Sequence, residues 1–309
     1  MMLYWSLIFD KENMGKIKDR IAEGRVLVSD GAWGTFLFQK GLSVQECPES
    51  WNLTRPEDVY EIALSYVEAG ADMILTNSFG GSPLKLEPYG FREQAYAINK
   101  AAGEISRRAA GEQVIVLGSV GPTGKMVFMG EVPEEELLTG FEEQSRGLAD
   151  GGVDAILVET MSDIQESELA IRAAKSISGL DVICTFTFEK TQAGDYRTMM
   201  GTSVPEAVTS AIAAGADVVG ANCGNGTAGM IEIVREIRKI DDEIPVLVHA
   251  NAGLPVYQDG KTVFPEDPEE MASQVRGLVD AGANIIGGCC GTTPEHIRRI
   301  AGIVHSSPQ

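Results

Sequence analysis

The stretch Ala69-Gly70-Ala71-Asp72 leads directly into the apolar segment Met73–Thr76, and the same transition recurs along the chain. Three later stretches repeat its order of small residues, glycine and a final Asp or Asn: Gly151-Gly152-Val153-Asp154, Ala214-Gly215-Ala216-Asp217 and Ala281-Gly282-Ala283-Asn284. A glycine here suits the left-handed residue that ends a helix and turns the chain into a strand. The repeat therefore predicts helices that alternate with strands.

Eight short apolar segments are predicted as strands: Val26–Ser29, Met73–Thr76, Val114–Leu117, Ala155–Val158, Val182–Phe186, Val218–Gly220, Val246–His249 and Asn284–Ile286. Residues with a helical apolar period lie between them: Pro56–Glu68, Glu134–Ala149, Pro205–Ala214, Met230–Ile240 and Pro268–Ala281. This alternation predicts parallel strands with helices covering the sheet. Eight such units predict an α/β protein with a single (β/α)8 TIM barrel. An open doubly wound sheet is the alternative, although no Gly-x-Gly-x-x-Gly follows the first predicted strand.

The barrel is expected at residues 20–305, after an N-terminal extension at residues 1–19 and before a short tail at residues 306–309. The net charge of −20 argues against a nucleic-acid or anionic-membrane partner, because either would be repelled. No apolar run approaches the roughly 18 residues needed to span a membrane. Five cysteines, an odd number, suit a reducing compartment, so a cytoplasmic location is expected.

Polar residues and glycines follow the predicted strands, at the end where such barrels carry their chemistry. The segments concerned are Asp30–Thr35, Thr76–Gly80, Gly118–Lys125, Glu159–Thr160, Ala221–Gly224, Ala250–Gly253 and Cys289–Cys290. Their concentration at one rim predicts an active site there.

Three cysteines are predicted to meet at this rim, because Cys223 ends the sixth strand and Cys289 and Cys290 end the eighth. Three thiolates supply three of the four tetrahedral positions of zinc and leave one for a substrate. Asn251 is a candidate for that position at rest, with a simple turn residue as the alternative. Cys184 and Cys47 are predicted to pack in the interior or in a loop, and the three histidines are too dispersed for a histidine-based site.

Asp30 and Glu159 end the first and fourth predicted strands. Two carboxylates at a rim suit a general acid–base pair or the binding of an ammonium group. Buried charges need partners in either case. The alternative is that each carboxylate only hydrogen-bonds to nearby turns.

Seven motifs in order resemble the homocysteine S-methyltransferase family over about residues 20–304. They are Asp-Gly-Ala-x-Gly-Thr, Thr-Asn-x-Phe, Gly-Ser-x-Gly-Pro, Glu-Thr, Asn-Cys-Gly, Asn-Ala-Gly and Gly-Gly-Cys-Cys-Gly-Thr-x-Pro-x-His-Ile. The resemblance implies that Cys223, Cys289 and Cys290 bind zinc and that the sulfur of homocysteine is the fourth ligand before it is methylated to methionine. It also implies that Asp30 and Glu159 hold the amino-acid end. The candidates for its carboxylate are the backbone N–H groups of Ala32, Trp33 and Gly34, together with Ser119 and Thr160.

The motifs are most similar to the homocysteine module of cobalamin-dependent methionine synthase, which implies methylcobalamin as the methyl donor. The Asp-x-His-x-x-Gly signature of a cobalamin-binding module does not occur in the sequence, so we expect a corrinoid protein on a separate chain to dock near Lys125–Glu131. S-methylmethionine, betaine or another onium donor is the alternative. A non-catalytic thiol- or metal-binding subunit of a methyl-transfer complex is a third. His249 and Trp33 depart from the usual pattern beside the predicted pocket and leave the donor open.

Overall fold

The structure, a computed structural model, describes residues 16–177, 179–258 and 260–306. Eight parallel strands form one sheet: β1 Leu27–Val28, β2 Met73–Leu75, β3 Ile115–Val120, β4 Ala155–Met161, β5 Asp181–Phe186, β6 Val218–Asn222, β7 Val246–Ala250 and β8 Ile285–Gly288. Their order is β1-β8-β7-β6-β5-β4-β3-β2, and a parallel bridge between Ser29 and Met73 joins the two outer strands. The sheet is therefore a closed barrel, and the predicted (β/α)8 TIM barrel is confirmed.

The helices of the described residues are α1 Lys16–Ala22, α2 Gly34–Gln39, α3 Trp51–Thr54, α4 Pro56–Glu68, α5 Pro83–Leu86, α6 Ala95–Ala110, α7 Glu134–Asp150, α8 Ile164–Ile177, α9 Val204–Ala214, α10 Thr227–Arg238, α11 Pro268–Ser273, α12 Val275–Ala281 and α13 Pro294–Ser306. Short 3-10 turns occupy Pro48–Ser50, Glu87–Tyr89, Arg92–Gln94 and Val127–Met129. Two small hairpins follow β5 and β7 and pair Glu189–Lys190 with Tyr196–Arg197 and Val256–Gln258 with Lys261–Val263. None of the helices in the described ranges is long and apolar enough to cross a membrane.

Most of the predicted extension, residues 1–15, and of the predicted tail, residues 307–309, lie outside the described residues. Helix α1 runs across the boundary that we expected at residue 20, and its Ile17 is fully buried in the apolar layer inside the barrel. The N-terminal end of the barrel is thus covered by α1.

The predicted helix over Pro268–Ala281 is two helices in the structure, α11 and α12, which meet at Gln274. The N–H of Gly277 donates to the carbonyl of Gln274, a tighter bond than an α-helix makes. A Cβ at Gly277 would lie 2.7 Å from Ile231 on α10, so α12 packs unusually close to its neighbour. The apolar period of the sequence does not reveal this break.

The strands have an apolar layer on each face, one inside the barrel and one between the barrel and the helices. The inner layer fills the lower half of the barrel with Leu27, Met73, Leu75, Ile115, Leu117, Ala155, Leu157, Ile183, Val218, Leu247 and Ile285. The outer layer packs strand residues such as Val28, Val116 and Val182 against the helices. Because side chains alternate along a strand, the next inward positions carry the polar residues of the barrel mouth.

The Asp or Asn that ends each repeated stretch makes two hydrogen bonds to one residue of the strand before it, a pair that we call a bracket. Asp72 donates its N–H to the carbonyl of Val28 at 2.7 Å and accepts the N–H of Val28 on its carboxylate at 2.9 Å. The same pair of bonds joins Asp154 to Val116, Asp217 to Val182 and Asn284 to Val246. A strand N–H that has no strand partner is satisfied in this way at four places around the barrel.

Each bracketing residue also meets a cation. Arg107 pairs with Asp154, Arg238 donates to Asn284 at 2.8 Å, and Lys18 of α1 donates to Asp217 at 2.8 Å. Burial alone would raise the pKa of Asp217, but hydrogen bonds from Lys175, Lys18 and the Val182 N–H outweigh it and lower the pKa. The glycines of the four repeated stretches all have positive φ, as the pattern predicts: Gly70 +93°, Gly152 +86°, Gly215 +104° and Gly282 +105°.

Replacing Asp217 by alanine should lower the free energy of unfolding by about 2 kcal/mol, because the N–H of Val182 is left buried without a partner. Asp217→Asn should cost less, since Asn284 makes the same bracket with an amide in this chain. Urea unfolding of the three proteins checks this. Equal losses in the two variants would mean that the bracket contributes only through its charge.

Candidate metal and substrate site

The carboxyl ends of the strands surround a cavity of about 330 Å³. Nine residues predicted for the site line it: Ala32, Trp33, Gly34, Ser119, Glu159, Thr160, Cys223, Cys289 and Cys290. Asp30 and Asn251 are not part of the lining. Ser119 and Glu159 lie inside β3 and β4, which run several residues beyond their predicted ends at Leu117 and Val158.

The three cysteines meet as predicted. Their sulfur atoms all lie within 4.8 Å of one another, and the Sγ atoms of Cys223 and Cys290 are 4.0 Å apart. Tetrahedral thiolate ligands at the usual zinc–sulfur distance of about 2.3 Å are separated by roughly 3.8 Å. The cluster therefore has the size of a three-thiolate metal site.

Strand β7 supports the cysteines from both sides. The N–H of Cys223 donates to the carbonyl of His249 at 3.0 Å, and the N–H of Cys289 donates to the carbonyl of Ala250 at 2.7 Å. Cys223 has a φ of +59°, which is rare for a residue with a side chain. Such strain is found mainly where function requires it.

Asn251 organises the second cysteine turn. Its Oδ1 accepts the N–H of Cys290 at 3.1 Å, and the carbonyl of Cys290 accepts the N–H of Ala252 at 3.0 Å. These bonds give Asn251 a supporting role beside the thiols. Its predicted role at the fourth position of a metal stays a prediction.

The three thiols influence one another's ionisation. Hydrogen bonds from Cys289 and then Cys290 lower the pKa of Cys223, whereas the bond to Cys223 is the largest cause that raises the pKa of Cys289 and of Cys290. One thiolate is therefore favourable, and further ionisation is opposed by repulsion and burial. A cation would relieve that repulsion, so the donor set fits a metal ion.

Glu159 is the one of the two predicted carboxylates that lines the cavity. Its Oε1 accepts a hydrogen bond from Ser119, while its Oε2 has, among the residues that the structure describes, only a 3.5 Å contact with the side-chain amide of Asn222. Burial raises the pKa of Glu159 to about 7, a hydrogen bond from Ser119 opposes the rise, and the charges of Asp30 and Cys223 add to it. A buried acid with spare acceptor capacity is suited to receive a cation.

Asp30 lies behind the cavity wall. Its Oδ2 accepts the N–H of Leu75 at 2.8 Å and the indole N–H of Trp33 at 2.9 Å, and Ser29 is 3.5 Å from Oδ1. Burial raises the pKa of Asp30 to about 7 against these hydrogen bonds. Asp30 thus ties β1 to β2 and holds Trp33 in the wall, while its Oδ1 keeps capacity for a further donor.

The backbone candidates are not equivalent. The N–H of Ala32 already donates to the Thr292 hydroxyl at 3.1 Å. The N–H groups of Trp33 and Gly34 stand at the start of α2, where a helix has no internal acceptor for them. Thr160 accepts a hydrogen bond from Asn222 at 2.7 Å, which leaves its own hydroxyl hydrogen free to donate.

Three lining residues were assigned no site role from the sequence, although Phe79 lies in a predicted rim segment and His249 was expected beside the predicted pocket. Phe79 packs on Gly121, where a Cβ would lie 2.5 Å from its ring, and Glu49 accepts the N–H of Gly80 at 2.6 Å. His249 also lines the cavity. Burial lowers its pKa to about 4, and its buried Nε2 has no hydrogen-bond partner within the described part of the chain. Its position two residues after inward-facing Leu247 was the available signal for His249. Glu49 lies in a loop and carried no signal.

Replacing Glu159 by glutamine should stabilise the metal-free protein at pH 8 by about 3 kcal/mol. The folded-state pKa of Glu159 is raised from 4.5 to about 7. The free energy of unfolding of the parent chain is therefore highest below about pH 4.5, where Glu159 is protonated, and falls as the pH rises through 7 and the buried side chain ionises. Chemical unfolding of both proteins at pH 5 and pH 8 measures the difference, which should be small at pH 5.

The matched control is Glu112→Gln, which removes one charge from an exposed side chain. It should leave the pH dependence of unfolding as in the parent chain. A Glu159→Gln protein that is no more stable than the parent at pH 8 would show that Glu159 is not desolvated.

Comparison with curated proteins identifies two mycobacterial relatives. Methionine synthase of Mycobacterium leprae (strain TN) is 35% identical over 298 residues, which cover 91% of this chain and 24% of that protein. Methionine synthase of Mycobacterium tuberculosis (strain ATCC 25618 / H37Rv) is also 35% identical over 298 residues, with 91% and 25% covered. The chain therefore spans about a quarter of the length of these relatives.

Among solved structures, the homocysteine methyltransferase MmuM from Escherichia coli, in its metallated form, is similar with a TM-score of 0.76 and 22% identity. The match covers 93% of this chain and 99% of that one, and it shows the shared barrel fold. The sequence pattern described as homocysteine S-methyltransferase matches residues 27–304. The chain belongs to the homocysteine S-methyltransferase family.

Proposed function

We propose that this chain methylates homocysteine to methionine as a zinc-dependent methyltransferase, with the methyl group delivered by a methylcobalamin-bearing corrinoid protein. The observation that carries the proposal is one cavity that combines three converging thiols with a buried, underused carboxylate. A thiol amino acid could place its sulfur at the three cysteines and its ammonium group at the carboxylate.

The residues that would hold zinc are Cys223, Cys289 and Cys290, whose sulfur spacing suits a soft divalent cation. When bound, zinc supplies the Lewis acidity that favours the thiolate form of a substrate thiol near neutral pH. The protein contributes the scaffold: bonds from the cysteine N–H groups to β7 fix two of the three ligands before any metal arrives. We retain Asn251 as a candidate for the remaining position at rest.

Glu159 is proposed to bind the ammonium group of homocysteine through Oε2. An ammonium group would stabilise the ionised carboxylate, whose pKa is raised by burial, so binding replaces an unfavourable buried charge with an ion pair. Asp30 is proposed as a second contact through Oδ1. The N–H groups of Trp33 and Gly34 and the hydroxyl of Thr160 are proposed to bind the carboxylate, with Ser119 holding Glu159 in place.

The cavity volume of about 330 Å³ lies at the lower end of the range of roughly 300–1,000 Å³ for small-molecule sites. That volume suits an amino acid and leaves little room for a large donor in the same space. A corrinoid would therefore approach from outside, across the loops of the mouth.

Those loops carry most of the exposed large apolar side chains of the described residues. They are Phe79, Met126, Met129, Met199, Met200, Leu254, Val256, Tyr257 and Val263, of which Met199 and Tyr257 are 81% and 80% exposed. Exposed apolar groups gathered on one face are typical of an interaction site. They support docking of the methyl carrier at the mouth, including the predicted segment Lys125–Glu131.

A small onium donor is the second candidate. Trp33 and Phe79 both line the cavity, and aromatic faces attract onium groups. S-methylmethionine or betaine would then bind inside the cavity next to the thiol, and no carrier protein would be required.

Alanine at Cys223, Cys289 or Cys290 should abolish stoichiometric zinc binding and methyl transfer while the barrel stays folded, because two thiols leave the ion under-coordinated. Zinc content by atomic absorption and far-UV circular dichroism check both parts. Cys184→Ala removes a thiol from the core of β5 and should keep one zinc per chain. Full zinc content in the triple alanine variant would contradict the proposed ligands.

The donor is tested by offering methylcobalamin, S-methylmethionine and betaine in parallel to the zinc-loaded protein with homocysteine. Chelator-sensitive methionine formation from methylcobalamin alone is expected. Formation from an onium donor, with none from methylcobalamin, would replace the corrinoid proposal by the second candidate.

In the same assay, Met129→Glu and Tyr257→Glu should raise the KM for methylcobalamin, since each places a charge on the apolar mouth. Val279→Glu, on α12 and away from the mouth, is the control and should leave that KM unchanged.

A further inference from the structure

Asn222 is a fully buried residue at the end of β6, directly before the proposed metal ligand Cys223. Its Oδ1 accepts the backbone N–H of Thr160 at 2.8 Å and the hydroxyl of Thr185 at 2.8 Å. Its Nδ2 donates to the hydroxyl of Thr160 at 2.7 Å and approaches Oε2 of Glu159 at 3.5 Å. Both acceptor positions and both donors of one amide are therefore used.

These contacts join three strands through a single side chain. Thr160 and Glu159 belong to β4, Thr185 belongs to β5, and Cys223 follows Asn222 on β6. The backbone carbonyl of Asn222 also accepts the hydroxyl of Thr187 at 3.0 Å. Glu159, the proposed ligand of the substrate ammonium group, and Cys223, the proposed metal ligand, thus depend on Asn222 for their relative position.

Asn222 also stabilises an unfavourable backbone conformation at Thr160. Thr160 has a φ of +62°, which is costly for a β-branched residue, and the β4–β5 register shifts between Val158 and Met161. The two bonds from Asn222 to the N–H and hydroxyl of Thr160 stabilise this bulge. The bulge sets where the neighbouring Glu159 side chain leaves the strand.

Only an amide suits this position. An aspartate would lose both Nδ2 donors and would bring a second negative charge within about 3.5 Å of Glu159. A threonine or serine could not reach Thr160, Thr185 and Glu159 together. The chemistry of the contacts therefore requires a side-chain amide.

We propose that Asn222 is a positioning residue that makes the site selective for a thiol carrying an α-amino group, by aligning Oε2 of Glu159 with the ammonium group. It touches neither substrate nor metal. This inference rests on the proposed role of Glu159 toward homocysteine.

The test compares the dissociation constants of homocysteine and 4-mercaptobutyrate, which lacks only the amino group, by calorimetry on the zinc-loaded protein. The parent chain should bind homocysteine more tightly. In Asn222→Asp that preference should fall by roughly tenfold or more, the effect of a hydrogen bond to a charged group. A loss at the carboxylate end through Thr160 would affect both thiols alike and would cancel in the ratio of the two dissociation constants. Zinc content measured alongside should stay at one per chain.

Two outcomes separate the role of Glu159 from the role of Asn222. A parent chain that binds both thiols equally would refute the ammonium role of Glu159 and with it the proposed recognition of homocysteine. A parent chain that discriminates, together with an Asn222→Asp variant that discriminates equally well, would overturn the role of Asn222 alone.

Two further variants keep the test decisive if Asn222→Asp folds poorly. Thr185→Val removes one hydrogen bond to Oδ1 and should reduce the preference in the same direction by a smaller factor. Asn284→Ser removes a partly buried amide contact at the opposite end of the barrel and should lower stability without changing the preference. A loss of preference in Asn284→Ser as large as in the Thr185 variant would indicate a general structural effect and would refute the assignment.

Discussion

The amino ends of the strands are joined in pairs by the hydrogen bonds that Asp72, Asp154, Asp217 and Asn284 make to the strands before them, and the Asp72 pair lies at the β1–β2 seam where the barrel closes. Each provides an acceptor for a strand N–H that its neighbour strand cannot reach, and each is tied to a basic side chain on the outer surface. The brackets fix every second strand against its predecessor at the lower rim. The carboxyl ends of all eight strands are then held around one mouth, so residues distant in sequence meet there.

The interior of the barrel changes from apolar to polar toward that mouth. Below lie leucine and isoleucine side chains from all around the barrel; above lie Ser119, Glu159, Asn222 and His249 at the next inward positions. Burying these groups destabilises the fold, as the raised pKa of Glu159 and the lowered pKa of His249 show. The apolar lower half and the brackets compensate, which lets the upper half hold groups arranged for binding rather than for stability.

Patterns of local origin were predicted well. Helix α4 has the predicted bounds Pro56–Glu68, because the proline at its start and the apolar period are read directly from the sequence. The ends of β3 and β4 were predicted too early. Gly118 and Ser119 are poor strand formers, yet the β3 ladder includes them because β4 supplies the hydrogen bonds, and β4 passes through a bulge after Val158 and pairs with β5 again at Met161. The convergence of Cys223 with Cys289 and Cys290 was predicted because strand order in a barrel follows chain order.

The sequence by itself determined the alternation of helices and strands, the αL glycines that end the helices, the acidic charge and the identity of the three thiols. These depend on local backbone preferences and on side-chain chemistry. Only the tertiary structure decided that Glu159 faces the cavity while Asp30 lies behind Trp33, and that Glu49 lines the site. It alone revealed Asn222 as a shared support, because its contacts join residues on three strands, up to 63 positions apart, and no periodicity or motif spacing encodes hydrogen bonds at that distance.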